Sequence, residues 1–306
     1  LGLLTYGSYC AAALAGGAAL GWIGQSAVAT EMLRDTIQLR QPRSAFDHAP
    51  SVNLLVLGCD EDRTPGGRRV VKTEARSDMI LVVRIDFEAN RITGLSIPRD
   101  LQVDLLGYRP MKINAFHAIG GPELSQRAVE EVLGVRIDRT MVLNYAAFQE
   151  MVDMVGGVPI FVPKRMVWND RAGDLRINLR PGRQTLDGRD AMSFVRFRRG
   201  DDDFERQKRQ KEFMLAFRDQ AMRNPAVLGR LADKTVELLG GALTPREVAA
   251  LVAFSRGVPS GEIRMGQVPV RTGRGTNLLV DRSALHDTLR EFHFREPGPT
   301  TLNFAR

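Results

Sequence analysis

Three apolar runs follow one another closely in this chain: VNLLVLG (52–58), SDMILVVRID (77–86) and RITGLSI (91–97). Runs of this length, rich in Val, Ile and Leu, are too short for a helical period and read as strands buried on both faces. A tight turn at 88–90 joins the second to the third. Strands of that kind need helices above and below them, and the sequence that follows supplies these. Helical periodicity covers 112–119, 123–133 and 146–155, with strands near 140–144 and 158–162 between and after. A hairpin-like stretch then runs to Leu179, followed by a helix from about Asp187 and a long helix from Phe204 to Met222. Residues 225–306 read as two helices, a strand through Ile263 to Val270, and a last helix with a loose tail. This alternation predicts an α/β fold, a sheet covered by helices.

Residues 1–29 hold no charged side chain, and about 20 such residues suffice to cross a bilayer as a helix. Residues 1–30 are therefore expected to form a transmembrane signal anchor, and 31–50, with Pro42 and Pro50, a short stalk. The folded part divides into a main domain over 51–240 and C-terminal helices and a strand over 241–306 packed on it. With 43 Lys and Arg against 36 Asp and Glu, the net charge of +7 favours an anionic partner. Charge alone does not choose among nucleic acid, an acidic membrane surface and a phosphorylated substrate. Two cysteines, Cys10 in the leader and Cys59 at a strand end, give no disulfide framework. The four histidines, His48, His117, His286 and His293, show no ligand spacing, which argues against zinc. No P-loop, G-x-S-x-G or Cys-x-x-Cys occurs. The leader and the absence of stacking aromatics interleaved in the basic motifs argue against nucleic acid, and none is expected as a partner.

The polar residues gather at the ends of the apolar runs. If the first two strands are antiparallel neighbours, Asp60 at the exit of one faces Asp78 at the start of the other, and Arg99 and Asp100, after Pro98, reach the same edge through the tight turn. Read singly, each aspartate is a turn cap or a salt-bridge partner. As a pair beside several arginines, two carboxylates suit a cation with oxygen ligands, Mg2+ or Mn2+. In SFVRFRR the two-residue spacing places Arg196 and Arg198 on one side of an extended segment, where paired guanidinium groups grip phosphate oxygens better than lysine would. A solvated basic edge is the plain alternative. On the long helix Arg206, Gln210, Phe213 and Phe217 share a face that is polar at its start and apolar further on, a stripe suited to a diphosphate and its hydrocarbon tail, or simply to a core. Met192 is a further candidate lining residue, again with core filling as its default. Lys112 and Asn114 sit where a helix begins, a position that attracts anions.

Several of these motifs stand in one order: LGCD ending at Asp60, RSD at 76–78, IPRD at 97–100, KIN at 112–114, GGPE at 120–123, VRFR at 195–198 and DFERQKRQ at 203–210. In order and spacing over about 51–220 the chain resembles the LytR-CpsA-Psr family of bacterial cell-envelope proteins. That resemblance implies a three-layer α-β-α domain with a central mixed sheet and a deep hydrophobic pocket for a polyprenyl chain, anchored in the cell membrane by one span and lying outside the cytoplasm. It implies a metal-assisted phosphotransferase that moves a glycan phosphate from a polyprenyl-pyrophosphate carrier to peptidoglycan. Asp60 and Asp78 match the family's magnesium-associated aspartates, and Arg76, Arg99, Arg196, Arg198, Arg206 and Gln210 match residues that hold or activate the pyrophosphate. Asp78, Arg99 and Arg198 are the expected catalytic set, with Lys112 and Asn114 as secondary pyrophosphate contacts and Met192, Phe213 and Phe217 as the lipid pocket. The sequence departs from the family pattern at Cys59, where Ser is common, at Met79, where Thr often follows RSD, and at Glu205, where Gly often precedes the arginine. The competing expectation is a non-catalytic polyprenyl-phosphate-binding regulator of envelope assembly, built on the same cleft.

Overall fold

A computed structural model of the chain describes residues 26–37, 41–59, 62–63, 69–70, 76–170, 175–197, 203–223, 225–239, 241–273 and 277–294. Helix α1 (Ala27–Ile37) leads through a short 3-10 turn (Pro42–Phe46) into β1 (Ser51–Cys59). Two-residue strands β2 (Asp62–Arg63) and β3 (Arg69–Val70) precede β4 (Ser77–Asp86), β5 (Arg91–Ser96), and the short ladder of β6 (Gln102–Val103) with β7 (Met111–Lys112). Then come α2 (Ala115–Leu133), β8 (Arg139–Asn144), α3 (Tyr145–Met154), β9 (Val158–Val162), β10 (Met166–Asp170), β11 (Leu175–Leu179) and β12 (Gly182–Leu186). Helices α4 (Gly188–Arg196), α5 (Asp203–Met222), α6 (Pro225–Leu238) and α7 (Pro245–Gly257) follow, with β13 (Ile263–Gln267), β14 (Val270–Thr272), β15 (Leu278–Val280) and α8 (Arg282–Glu291) closing the described chain.

The central sheet has the order β13-β5-β4-β1-β8 and is mixed: β1–β4 and β4–β5 are antiparallel, β1–β8 and β13–β5 parallel. Alternation along β1 shows why both faces need cover. Val52 and Leu54 join one apolar cluster with Phe254 of α7, whereas Leu55, Leu57 and Cys59 join another with Phe116 and Val129 of α2 and Leu285 of α8. Helices on both sides of the sheet give the three layers that the resemblance implied. Leu55 and Leu57 are fully buried, each worth about 2–3 kcal/mol of transfer free energy.

The helices start where their sequences supply a cap. Asn144 accepts from the Ala147 N–H, Asp187 from that of Asp190, and Thr244 and Glu247 form a reciprocal capping box on α7. Each contributes about 1 kcal/mol. In α2 the helix is interrupted at Gly120 and Gly121, ahead of Pro122, which is why the sequence shows two periodic stretches there rather than one. Residues 27–37 and 42–46, read above as the end of an anchor and a stalk, form helical turns docked on the domain: α1 packs on α6 and α7, with Val28 fully buried, and the 3-10 turn packs on α7. The apolar leader, residues 1–25, lies outside the described residues. Among those described, no helix is long and apolar enough to cross a membrane.

Candidate active site

The mixed topology brings four strand ends to one edge. The C-terminal end of β1 pairs with the start of β4 (Cys59 opposite Ser77) and lies beside the C-terminal end of β8 (Cys59 opposite Asn144). The exit of β5, extended by the Ile97 N–H to Ile80 carbonyl bond, falls there as well. The β1–β4 register slips at this point: Gly58 faces Met79 and Cys59 faces Ser77, so Asp78 is the extra residue of a β-bulge. Bulges re-aim a side chain, and here Ser77 turns inward to full burial while Asp78 stays at the rim. The same tight pairing explains Gly58, since a Cβ at that position would lie 2.9 Å from the Met79 Cβ.

At the rim the polar groups form a chain. Arg99 Nη1 donates to Asp78 Oδ1 at 2.6 Å, and its Nε lies 3.7 Å from Asp100 Oδ2, whose other oxygen accepts from Lys112 Nζ at 2.6 Å. On the far side the Tyr145 hydroxyl donates to Asp78 Oδ2 at 3.5 Å, and the Arg196 guanidinium stacks 4.3 Å above the Tyr145 ring. Burial works against the charge on Arg99, but the hydrogen bond and charge of Asp78, helped by Asp100 and Tyr145, outweigh it and hold its pKa above the ordinary arginine value. The Arg99 and Asp78 side chains remain 37% and 23% exposed, so their pairing is worth about 1 kcal/mol or less and is open to exchange for a stronger anion.

Next to this chain lies a cavity of about 360 Å³ lined by Arg76, Arg109, Lys112 and Asn114 on its polar side and Met111 and Ile119 on its apolar side. Three of these four polar residues were expected to hold phosphate. Asn114 is the N-cap residue of α2 as expected, yet its side chain makes no capping bond, and its carboxamide oxygen is buried without a partner among the described residues. An acceptor left in that state costs about 1–3 kcal/mol until a donor reaches it.

The structure therefore brings Arg76, Asp78, Arg99, Lys112, Asn114 and Arg196 to one rim. It departs from the sequence reading in two elements: Arg196 is the last residue of helix α4, not part of an extended segment, and Lys112 lies in strand β7, ahead of the helix that begins at Ala115. The cap at Asp187 and burial of Ala191, Met192 and Phe194 on one side decide for helix over the apparent two-residue period. Asp60, Arg198 and the Arg206 side chain lie outside the described residues. Gln210 is half-buried on α5. Met192 is buried, and Phe213 packs 5.4 Å from Phe148 and 6.2 Å from Phe217 in a cluster with β9 and β11.

Four residues escaped the sequence reading. Tyr145 opens the helix directly after β8 and so reaches the edge where that strand ends. Arg109 reaches the cavity from the loop between β6 and β7. His117, taken as scattered, stands in the first turn of α2 with its ring nitrogens 3.5 and 3.7 Å from Cys59 Sγ, tying that helix to the strand end before Asp60. Arg209 is 5% exposed and donates to the carbonyls of Phe194 and Phe197, with its guanidinium 5.8 Å from both rings. It closes the C-terminal end of α4, the helix that delivers Arg196.

A family model described as LytR_cpsA_psr family matches residues 23–290. The chain belongs to the LytR-CpsA-Psr family. Among its relatives, regulatory protein MsrR of Staphylococcus aureus (strain COL) is 33% identical over 187 residues, 60% of this chain and 53% of MsrR. TagV of Bacillus subtilis (strain 168), named a polyisoprenyl-teichoic acid–peptidoglycan teichoic acid transferase, is 30% identical over 265 residues, 83% of this chain and 62% of TagV. The chain thus spans between about half and two-thirds of the length of these relatives. The crystal structure of B. subtilis TagV superposes with a TM-score of 0.61 at 26% identity, covering 81% of this chain and 98% of that one. The LytR-CpsA-Psr match extends through β13 and α8, beyond the motifs on which the resemblance first rested.

Proposed function

We propose that this LytR-CpsA-Psr protein is a phosphotransferase that moves a glycan phosphate from a polyprenyl-pyrophosphate carrier to peptidoglycan. In this reading the domain stands outside the cytoplasm, tethered to the cell membrane by the leader. The observation that carries it is the rim itself: Arg99, held to Asp78 and Asp100 in ion pairs weak enough for a diphosphate to replace, and Arg196, stacked on Tyr145, flank Asp78 at one sheet edge. The transferase name of TagV supports the same reading.

The chemistry follows from those pairs. A diphosphate seated against Arg99 takes over its guanidinium and frees Asp78. Arg99 and Arg196, with Arg198 and Arg206, spread the charge that builds on the transferring phosphoryl group. A peptidoglycan hydroxyl attacks the glycan-bearing phosphorus, a new P–O bond forms, the bridging P–O bond breaks, and polyprenyl phosphate leaves. The hydroxyl proton passes to Asp78, released from Arg99 and adjacent to the reacting centre. The polyprenyl chain would run beside Met192, Phe213 and Phe217. Among the described residues no group of three or more metal-ligating side chains gathers, so Mg2+ or Mn2+ would depend on Asp60 joining Asp78. Bound there, it would neutralise diphosphate charge.

The test is direct. The full chain is incubated with a polyprenyl-pyrophosphate glycan and a peptidoglycan oligomer, and products are read by mass spectrometry. Wild type should yield the phosphodiester and polyprenyl phosphate, and Asp78→Ala should not. A wild-type chain that binds the lipid without forming product, and an Asp78→Ala variant that binds it equally well, would make this protein the non-catalytic regulator instead.

A further inference from the structure

Strands β9 to β12 form one bent antiparallel ribbon: β9 pairs with β12 and β10 with β11, and three residues (163–165) oppose two (180–181) where the pairs meet. Its inward side chains, Val158, Ile160, Val162, Met166, Ile177 and Leu179, enter one cluster with Phe194 of α4 and Phe213 of α5. The outward face is therefore fixed by alternation, and it is unlike an ordinary wet surface. Phe161 is 60% and Val167 53% exposed there. Register sets Arg183 directly opposite Phe161, and the bend adds exposed Arg165 and Arg180, while Lys164 reaches over the Phe197 ring. Residues 156–168 and 175–186 contain Lys164, Arg165, Arg176, Arg180 and Arg183 and no Asp or Glu. Among the described residues Arg165, Arg180 and Arg183 make no ion pair.

We infer that this outward face of the ribbon is a docking surface for an anionic lipid bilayer. Exposed apolar side chains set among cations, with the one acidic residue of the four strands, Asp170, in the last pair of the β10–β11 ladder, match an interface with negative headgroups outside and acyl chains beneath. A second copy of the chain fits poorly, because a two-fold contact would press the same cations against each other. The ribbon packs on α4 and α5, the helices that carry Arg196, Gln210 and Phe213, so docking would hold the site's helices close to the headgroup layer. The inference rests on the reading above that the donor is membrane-borne.

The test uses the full chain carrying Cys10→Ser and Val167→Cys, labelled at the new thiol with a polarity-sensitive dye, since Cys59 is fully buried. The chain is incorporated into vesicles of phosphatidylcholine alone or with a third of phosphatidylglycerol. The dye should shift to the blue only with phosphatidylglycerol, and the shift should vanish in high salt. Replacing Arg165, Arg180 and Arg183 together by Gln should weaken docking by roughly a hundredfold and abolish the shift. Equal emission in both vesicles, a shift indifferent to the three Gln changes, or a shift that tracks protein density and so reports a second copy would overturn the inference. Turnover of a short-chain donor in detergent separates this from the transferase reading. There the triple variant should equal wild type, and a loss would make the ribbon a substrate contact instead. A blue shift in a chain that transfers nothing would leave the surface standing and sink the transferase.

Discussion

The rim of the site and the helix junction at α4 each hold an arginine, by opposite means. Arg99 is tied to carboxylates on mobile side chains and is more than a third exposed, whereas Arg209 is tied to two backbone carbonyls and is 5% exposed. A carboxylate can swing aside when phosphate arrives, but a carbonyl at a helix end cannot. The first arrangement keeps a guanidinium ready for a ligand, and the second spends it on geometry. Two arginines that their sequences alone do not tell apart therefore carry different duties, and substitution should separate them.

The largest effect is expected from Arg99→Ala. Transfer should fall by about a hundredfold or more, as when one preorganised donor is removed, with the melting temperature barely changed. If melting falls instead, the rim pairs hold the fold and the contrast fails. Arg209→Met should do the reverse, leaving two buried carbonyls unpaired at a cost of about 3 kcal/mol, visible in denaturant unfolding. Its effect on donor binding should come only through Arg196, so that Arg196→Ala with Arg209→Met binds no worse than Arg196→Ala alone. Tyr145→Phe removes one long hydrogen bond but keeps the ring beneath Arg196, and should cost transfer less than about tenfold. The smallest effect lies far from the rim, at the cap of α8. The Ser283 side chain, then the Ala284 N–H, hold the Asp281 pKa below its usual value. Its contribution is thus complete above the unfolded value, near pH 4, and is lost as pH falls through the lower folded value. Thermal melts from pH 6 to pH 2 should fall less steeply for Asp281→Asn than for wild type.

Much of the rim was legible because it follows from local rules. Two buried strands joined by a tight turn put Asp78 and Arg99 at one edge, and Asp187 announces a helix wherever it stands before a run like that of α4. What could not be read depended on distant partners. The bulge that holds Asp78 at the rim adjoins a close approach of Gly58 to Met79, and nothing local marks it. Arg209 looks like its neighbours in ERQKRQ until α4 is folded against it. His117 and Cys59 are separated by 58 positions and meet only through the packing of α2 on the sheet. β13 completes the central sheet from far along the chain, and a strand's own sequence does not name its neighbour.

That last pairing sets an order of events during synthesis. β5 is made early, but the strand that satisfies its outer row of amide and carbonyl groups leaves the ribosome only after helices α4 to α7. Until then the nascent sheet carries an open edge, ready to pair with any extended segment it meets. A product cut short before Ile263 would keep that edge bare and should precipitate rather than persist as a shorter working domain.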